Sequence, residues 1–475
     1  MLLTAGAGVV LALAPAAPAQ SARGLWESVG YGLLIEIDSI TLRTFQTTSI
    51  SCIPWWTAQR LDSESRPDES VFNRGDARIR ITIGSSPDEL LMREGPSISR
   101  VTLRRVRDRP QRCNETPANT PPTNYAIFWQ TFAEQFALFE VYRTNWEAVD
   151  RKFRPRVTPS TTPEELFEIL REMILPFHNA HTNIAAGAIQ RRYLGYRSAS
   201  EIGRRLQAGS TLTIGEILGL ISEQDRRTRE IIQSHYSDGP LRAYLNNQVW
   251  FGMLPGAIGY LRILAFSDYT PDGGYDKDAP ALEAALNEIL GDAGRMKGLI
   301  IDVRVNIGGS DPLCLAIASR LTDAKYFAYS KVTRSNQSGP LRFTDPQHIW
   351  VEPSQGAGYR GPVALLIGPD AISGGETFAM AVMGRKPSVT FIGENTQGVF
   401  SDVWGRKLPN GWTFGLPTEL YLTADGKSFD SVGVAPHIRV PVYSETDLEG
   451  RRDGALERAI AVLGGPRAPR RPGKL

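Results

Sequence analysis

Three short apolar runs constrain this chain more than anything else in it: LIIDVRV (299–305), PVALLIG (362–368) and SVTFIGE (388–394). Runs of that length with scarcely a polar interruption fit strands buried on both faces, as in parallel sheets covered by helices. The connections agree. Asn306-Ile307-Gly308-Gly309 reads as a turn after the first run, and Asp311-Pro312 as the cap of a helix through LCLAIASRL. PDAIS leads from the second run into a helix, GGETFAMAVMG. Strand–helix–strand alternation from about Val249 to Tyr443 predicts an α/β layer, and Pro409-Asn410-Gly411 predicts a hairpin between RKL and WTF.

The earlier part of the chain follows other periods. From about Trp26 to Arg112 the pattern alternates, with Ile79, Ile81 and Ile83 separated by Arg80 and Thr82, which predicts a small antiparallel β domain, open or closed into a barrel. Trp55-Trp56 fits the filling of a small core as well as contact with a ligand. ETPANTPPTN then reads as a linker. Beyond it Phe128, Phe132, Phe136 and Phe139 share one helical face, and Thr162-Pro163-Glu164-Glu165 opens a helix with an N-cap, a first-turn proline and a capping box. That helix stops near Pro176, HNAHT follows at once, and TIGEILGLISEQDRRTREIIQ reads as a further, polar helix. The expected division is 1–19, 20–116 (β domain), 117–248 (helical region), 249–462 (α/β core) and 463–475, a basic, Pro-rich tail with a disordered composition.

The N-terminus sets the expected compartment. An apolar run from Leu2 to Ala14 precedes Ala17-Pro18-Ala19, so residues 1–19 read as a secretory signal cut after Ala19, with an uncleaved anchor as the alternative. No later run reaches the ~18 apolar residues of a membrane-spanning helix. The protein is therefore expected to be exported, periplasmic or extracellular, without stable membrane insertion. An oxidising compartment would let Cys52 and Cys113 pair, whereas Cys314 reads as a buried packing thiol. Lys and Arg number 53 against 51 Asp and Glu, which argues against a dedicated nucleic-acid binder. Three cysteines exclude a disulfide scaffold or zinc cluster. His178 and His181 lack a neighbouring carboxylate to complete a metal site, and no cofactor signature stands in the sequence.

Ser373 is the first residue with chemistry to offer. It follows a buried strand, begins a helix and precedes Gly374-Gly375, so its hydroxyl would sit where helix N-terminal amides can stabilise an oxyanion. Ser373-x-x-Glu376 is equally a capping box, and a cap needs no catalysis. Three further features favour catalysis. His181 stands in a loop beyond a helix end, as an accessible base would. Gly309 ends a neighbouring strand and could supply a second oxyanion N–H. Asp430 is a turn carboxylate able to orient an imidazole. Nucleophile, base, orienter and oxyanion hole are the parts of acyl transfer.

The block GYLRI, KGLIIDVRVNIGG, GPVALLIGPDAISGGETFAMAV, TFIGENTQG and GVAPHIRV resembles, in order and spacing, the tail-specific (C-terminal-processing) serine peptidases. The resemblance implies a crotonase-like core of the ββα type, with Ser373 as nucleophile three residues before Glu376 and Gly309 and Gly374 as oxyanion amides. Many members pair the serine with a lysine just after G-E-x-T-x-G. Here that motif is Gly393–Gly398 and the next residue is Val399, which cannot take a proton. The tricorn-type branch uses Ser-His-Glu, with the histidine in an H-T motif and the acid shortly before G-V-x-P. His181-Thr182 matches the first, and Asp430 takes the acid's place with a shorter side chain. No PDZ insertion is recognisable between His181 and the core. The resemblance thus implies a serine endopeptidase with a Ser373–His181–Asp430 triad, a protein or peptide substrate and no cofactor or metal. A lipophilic-ligand or peptide carrier on the same fold, and a small-molecule esterase, are the competing expectations.

Overall fold

The computed structural model describes residues 22–66, 68–75, 77–195, 214–335 and 342–466. The expected signal segment and residues 467–475 of the expected tail lie outside them.

The alternating N-terminal sequence closes into a barrel of eight antiparallel strands in chain order, from Gly24–Ser28 to Val101–Val106. The first strand pairs with the last, Leu25 opposite Val106 and Ser28 opposite Leu103, so no edge remains unpaired. One side chain in two points inward. Trp26, Leu33, Ile35, Phe72, Ile79 and Leu103 fill the interior, and Trp55 and Trp56 pack against it from a partly buried position. Cys52 and Cys113 form a disulfide, tying the fourth strand to the turn that leaves the barrel.

The helical region begins at Pro121–Gln135, where Phe128 and Phe132 start an aromatic core; Phe136 and Phe139, expected on the same helix, lie beyond its end and complete that core with Trp146 and Phe177. The Thr162 capping box forms as expected at the helix Pro163–Ile174. The polar helix is present as Ile214–His235.

The C-terminal layer is a seven-stranded sheet ordered Arg242–Tyr244, Val249–Leu254, Ile258–Ile263, Gly298–Asp302, Val363–Ile367, Thr390–Gly393 and Ile438–Arg439, parallel from the third strand onward. Its first strand lies ahead of the boundary read at 249. Both faces are covered, which is why the central strands read as unbroken apolar runs. Leu299, Ile301, Leu365 and Ile367 pack on one side with residues of the helices Asp311–Ser319 and Gly374–Met383. Ile300, Ala364 and Leu366 pack on the other with the helix Gly454–Val462. The hairpin around Asn410 pairs Val403–Lys407 with Thr413–Pro417. That hairpin also captures the helical region, because Asn183–Ala186 adds to it with Asn183 opposite Gly415. The fold is α+β throughout: barrel, helical region and α/β core. Among the described residues no helix is long and apolar enough to cross a membrane.

Candidate active site

Ser373 sits between the strand Val363–Ile367 and the helix Gly374–Met383 with φ 54° and ψ −120°. A non-glycine residue in that region costs of order 1–3 kcal/mol and is found where a tight strand-to-helix turn lifts a side chain clear of its helix. The expected capping box is absent. The Ser373 side chain makes no cap bond, and Glu376 turns inward to accept from Thr396 Oγ1 at 2.5 Å and from the Gly398 and Val399 amides at 2.7 Å each. Burial pushes the Glu376 carboxyl up to about 8 against those three donors. Its role is to fasten the Gly393–Gly398 motif to the turn.

Beside the turn runs Asn306–Gly309. A Cβ added to Gly308 would lie 2.7 Å from Ser373 Cβ, and one added to Gly374 would lie 3.0 Å from the Gly309 nitrogen. Only glycine allows this approach, and Gly308 and Gly309 also hold φ of 92° and 130°. The Gly308 carbonyl accepts from the Phe266 amide at 2.7 Å and the Ser310 amide donates to the Phe266 carbonyl at 2.8 Å. That bridge turns the intervening Gly309 N–H away from Phe266. Neither the Gly309 nor the Gly374 amide has an acceptor among the described residues, so two orphan donors meet beside the serine. Asn306, whose sequence reading was only that of a turn, locks the arrangement. It is fully buried, its Nδ2 donates to Ile263 O at 3.0 Å, its Oδ1 accepts from the Gly308 amide at 2.9 Å, and its carbonyl accepts from the Ile372 amide at 2.9 Å. Asp311 is the first helical residue rather than the cap, which is Ser310. Its carboxylate accepts from Thr377 Oγ1 at 2.7 Å.

His181 is delivered by the loop between the helix Pro163–Ile174 and the strand Asn183–Ala186. Asn179 shapes that loop, its Oδ1 accepting from the His181 amide at 2.8 Å and its Nδ2 donating to Tyr142 Oη at 3.1 Å. The imidazole is half-buried. Burial lowers it to about 4, opposed by the Ser401 carbonyl and the charge of Asp402. It is therefore neutral, and basic in form, at neutral pH. Its Nδ1 is buried without a hydrogen-bond partner. Asp430 is buried too. Burial pushes it up to about 7, its Oδ2 accepts from Ser428 Oγ at 2.8 Å, and its Oδ1 lies 3.5 Å from the Phe400 amide.

One segment, 398–402, touches all three residues. The Ser373 amide donates to Val399 O at 3.0 Å, the Phe400 amide faces Asp430, and Ser401 and Asp402 face His181. The structure thus packs Gly308 and Gly309 against Ser373 and Gly374 and sets His181 and Asp430 against one segment. No hydrogen bond joins Ser373 to His181 or His181 to Asp430 among the described residues. His178 lies in the left-handed region at the end of a single helical turn, and no group of three His, Cys, Asp or Glu side chains among the described residues is placed to hold a metal ion.

A strained serine beside two orphan amides, at the carboxyl end of a central parallel strand, has the parts that acyl transfer requires. Residues 257–440 match peptidase family S41, and residues 117–175 match the tricorn protease C1 domain. The C-terminal layer is thus similar to peptidase family S41, and the helical region to a tricorn protease domain. The chain is 25% identical over 187 residues to a carboxy-terminal-processing protease of Bartonella bacilliformis, a match spanning 39% of each chain. Its fold is similar to that of a putative peptidase from Parabacteroides merdae, with a TM-score of 0.58 and 23% identity over 73% of this chain and 97% of that one. It is also similar to mature CPAF complexed with lactacystin, with a TM-score of 0.52 and 13% identity over 72% and 97%.

Proposed function

We propose that this protein is an exported serine endopeptidase working through Ser373, His181 and Asp430. Ser373 attacks a peptide carbonyl while His181 takes its proton. The oxygen that becomes negative is held by the Gly309 and Gly374 amides, His181 returns the proton to the leaving amine, and water then cleaves the acyl-enzyme. Asp430 serves the imidazolium. As that cation forms, its charge favours ionisation of a carboxyl held near neutrality, and Asp430 exchanges Ser428 for the unpartnered Nδ1.

The observation that carries this reading is the pair of orphan amides beside a serine whose hydroxyl is not used as a cap. Export rests on the N-terminal sequence and on the Cys52–Cys113 disulfide, which suits an oxidising compartment. Hydrolysis of casein by the wild type, lost in Ser373→Ala at unchanged melting temperature, is the expected result. Turnover of small esters with casein untouched would instead make it an esterase, and a well-folded protein that hydrolyses neither would be a carrier.

A further inference from the structure

His181 and Asp402 meet at one end of the small sheet that joins the helical region to the core. A Cβ on Gly415 would touch Asn183 Nδ2 at 2.6 Å on one side and Val403 Cγ1 at 2.7 Å on the other. The strands Asn183–Ala186 and Val403–Lys407 both run antiparallel to Thr413–Pro417, so His181-Thr182 and Ser401-Asp402 enter the sheet at the same end, and the Ser401 carbonyl and the Asp402 charge both act on the imidazole. Among the described residues Asp402 is the one charged side chain acting on that ring.

Asp402 is itself clamped from two domains. Lys331, from the core strand Tyr326–Thr333 and 1% exposed, pairs with its Oδ2 at 2.8 Å. Ser99, from the barrel, has its hydroxyl 3.1 Å from the same oxygen and 3.1 Å from Glu419 Oε1, sharing one proton between the two carboxyls. Lys331 also pairs with Glu419 at 3.0 Å and donates to Ser99 Oγ. Glu419 accepts in turn from the barrel's Tyr31 Oη at 2.7 Å. Tyr421 Oη, 3.4 Å from Asp402 Oδ1, bonds Asp311 at 3.1 Å. The groups facing Asp402 are thus Lys331, Glu419, Asp311, Tyr421, Tyr329, Tyr31 and His181: three carboxyls, Asp402 included, share one ammonium.

We propose that Asp402, fixed by Lys331 and by Ser99 of the β-barrel, is a positioning residue that supplies the standing negative charge for the His181 imidazolium, so that the barrel is a working part of the peptidase site. The three carboxyls are not equivalent. Burial raises Asp311 and Glu419, whereas Lys331 holds the half-exposed Asp402 low. Asp402 is the one held below its ordinary value, whereas burial raises Asp430 to about 7. The division of labour follows: Asp402 biases the ring in the resting protein, and Asp430 engages it during turnover.

The inference rests on the peptidase reading, and its test separates the two. His181 is titrated by NMR in the full chain, its ring signal identified by loss in His181→Asn, and the rate of Ser373 modification by a fluorophosphonate is followed against pH. Asp402→Asn is expected to move the His181 titration and the acid limb of the modification rate to lower pH. It should also slow modification at neutral pH by about tenfold, the equivalent of one pKa unit. Ser99→Ala moves both in the same direction by less, and Ser99→Thr, which keeps the hydroxyl, restores the wild-type profile. Should Asp402→Asn fail to fold, the Ser99 pair carries the test. An unchanged His181 titration in a folded Asp402→Asn, or in Ser99→Ala alone if the former does not fold, overturns the proposal. Failure of the peptidase reading shows differently, as a wild-type Ser373 that never reacts while the His181 titration still reports on Asp402.

Discussion

The Ser373 amide donates to the Val399 carbonyl at 3.0 Å, so the position at which dyad members of the C-terminal-processing peptidases carry their lysine lies directly against Ser373. Val399 is 2% exposed and has no proton to exchange, which leaves the base to come from elsewhere. His181 is the ring that segment 398–402 also touches.

His181→Ala should therefore lower kcat/KM by about 10⁴-fold or more, as loss of a triad base does in enzymes of this chemistry. A dyad enzyme would be indifferent to the change. Steady-state hydrolysis of a fluorogenic peptide, with a melting curve for each variant, checks it.

Gly374→Ala tests the oxyanion pocket without forcing a left-handed residue, since Gly374 is the first helical residue. The new methyl would stand 3.0 Å from the Gly309 nitrogen and crowd the space between the two amides. The expected outcome is a folded protein whose kcat is down by about 10²–10³, the usual cost of an oxyanion donor, with KM little altered.

The disulfide closes a loop across a sequence separation of 61 residues. In the chain-entropy model such a closure stabilises by about 4 kcal/mol. Cys52→Ser with Cys113→Ser should lower the denaturant midpoint of the barrel by a corresponding amount. Fluorescence of the barrel tryptophans, Trp26, Trp55 and Trp56, reports the transition.

Stability should respond to pH with two opposite slopes. Burial opposes ionisation of Asp302, but the charges of Arg304 and Arg262 overcome it and hold its carboxyl well below the usual range. Its folded pKa lies below the unfolded one, so its contribution is full above about pH 4 and is lost as pH falls further. Glu376 is raised by burial to about 8. Its contribution is present below about pH 4 and is lost as pH rises toward 8. Asp302→Asn should lose about 3–5 kcal/mol at neutral pH and flatten the acid side, whereas Glu376→Gln should flatten the slope between pH 4 and 8. Urea midpoints measured from about pH 2 to pH 8 distinguish the two.

The layer structure was legible because burial on both faces writes itself into sequence as unbroken apolar runs, and a closed barrel writes itself as strict alternation. The Thr162 capping box was legible for a similar reason, since all its bonds lie within four residues. The same motif at Ser373, weighed there against catalysis, forms no box, because tertiary contacts from Thr396, Gly398 and Val399 claim the Glu376 carboxyl. Sequence spacing could point to Gly309 and Gly374, which flank glycine turns. It could not show Asn306 as their anchor, or Asp402 and Lys331 beside His181, because these meet only when the barrel, the hairpin and the core come together.

The central claim is that Ser373 is a nucleophile activated by His181. The most direct measurement is labelling of the purified protein with a fluorophosphonate probe, followed by peptide mapping. The account predicts a single adduct on Ser373, absent from both Ser373→Ala and His181→Ala. A well-folded wild type without adduct, or an adduct on Ser373 that persists undiminished in His181→Ala, would contradict it.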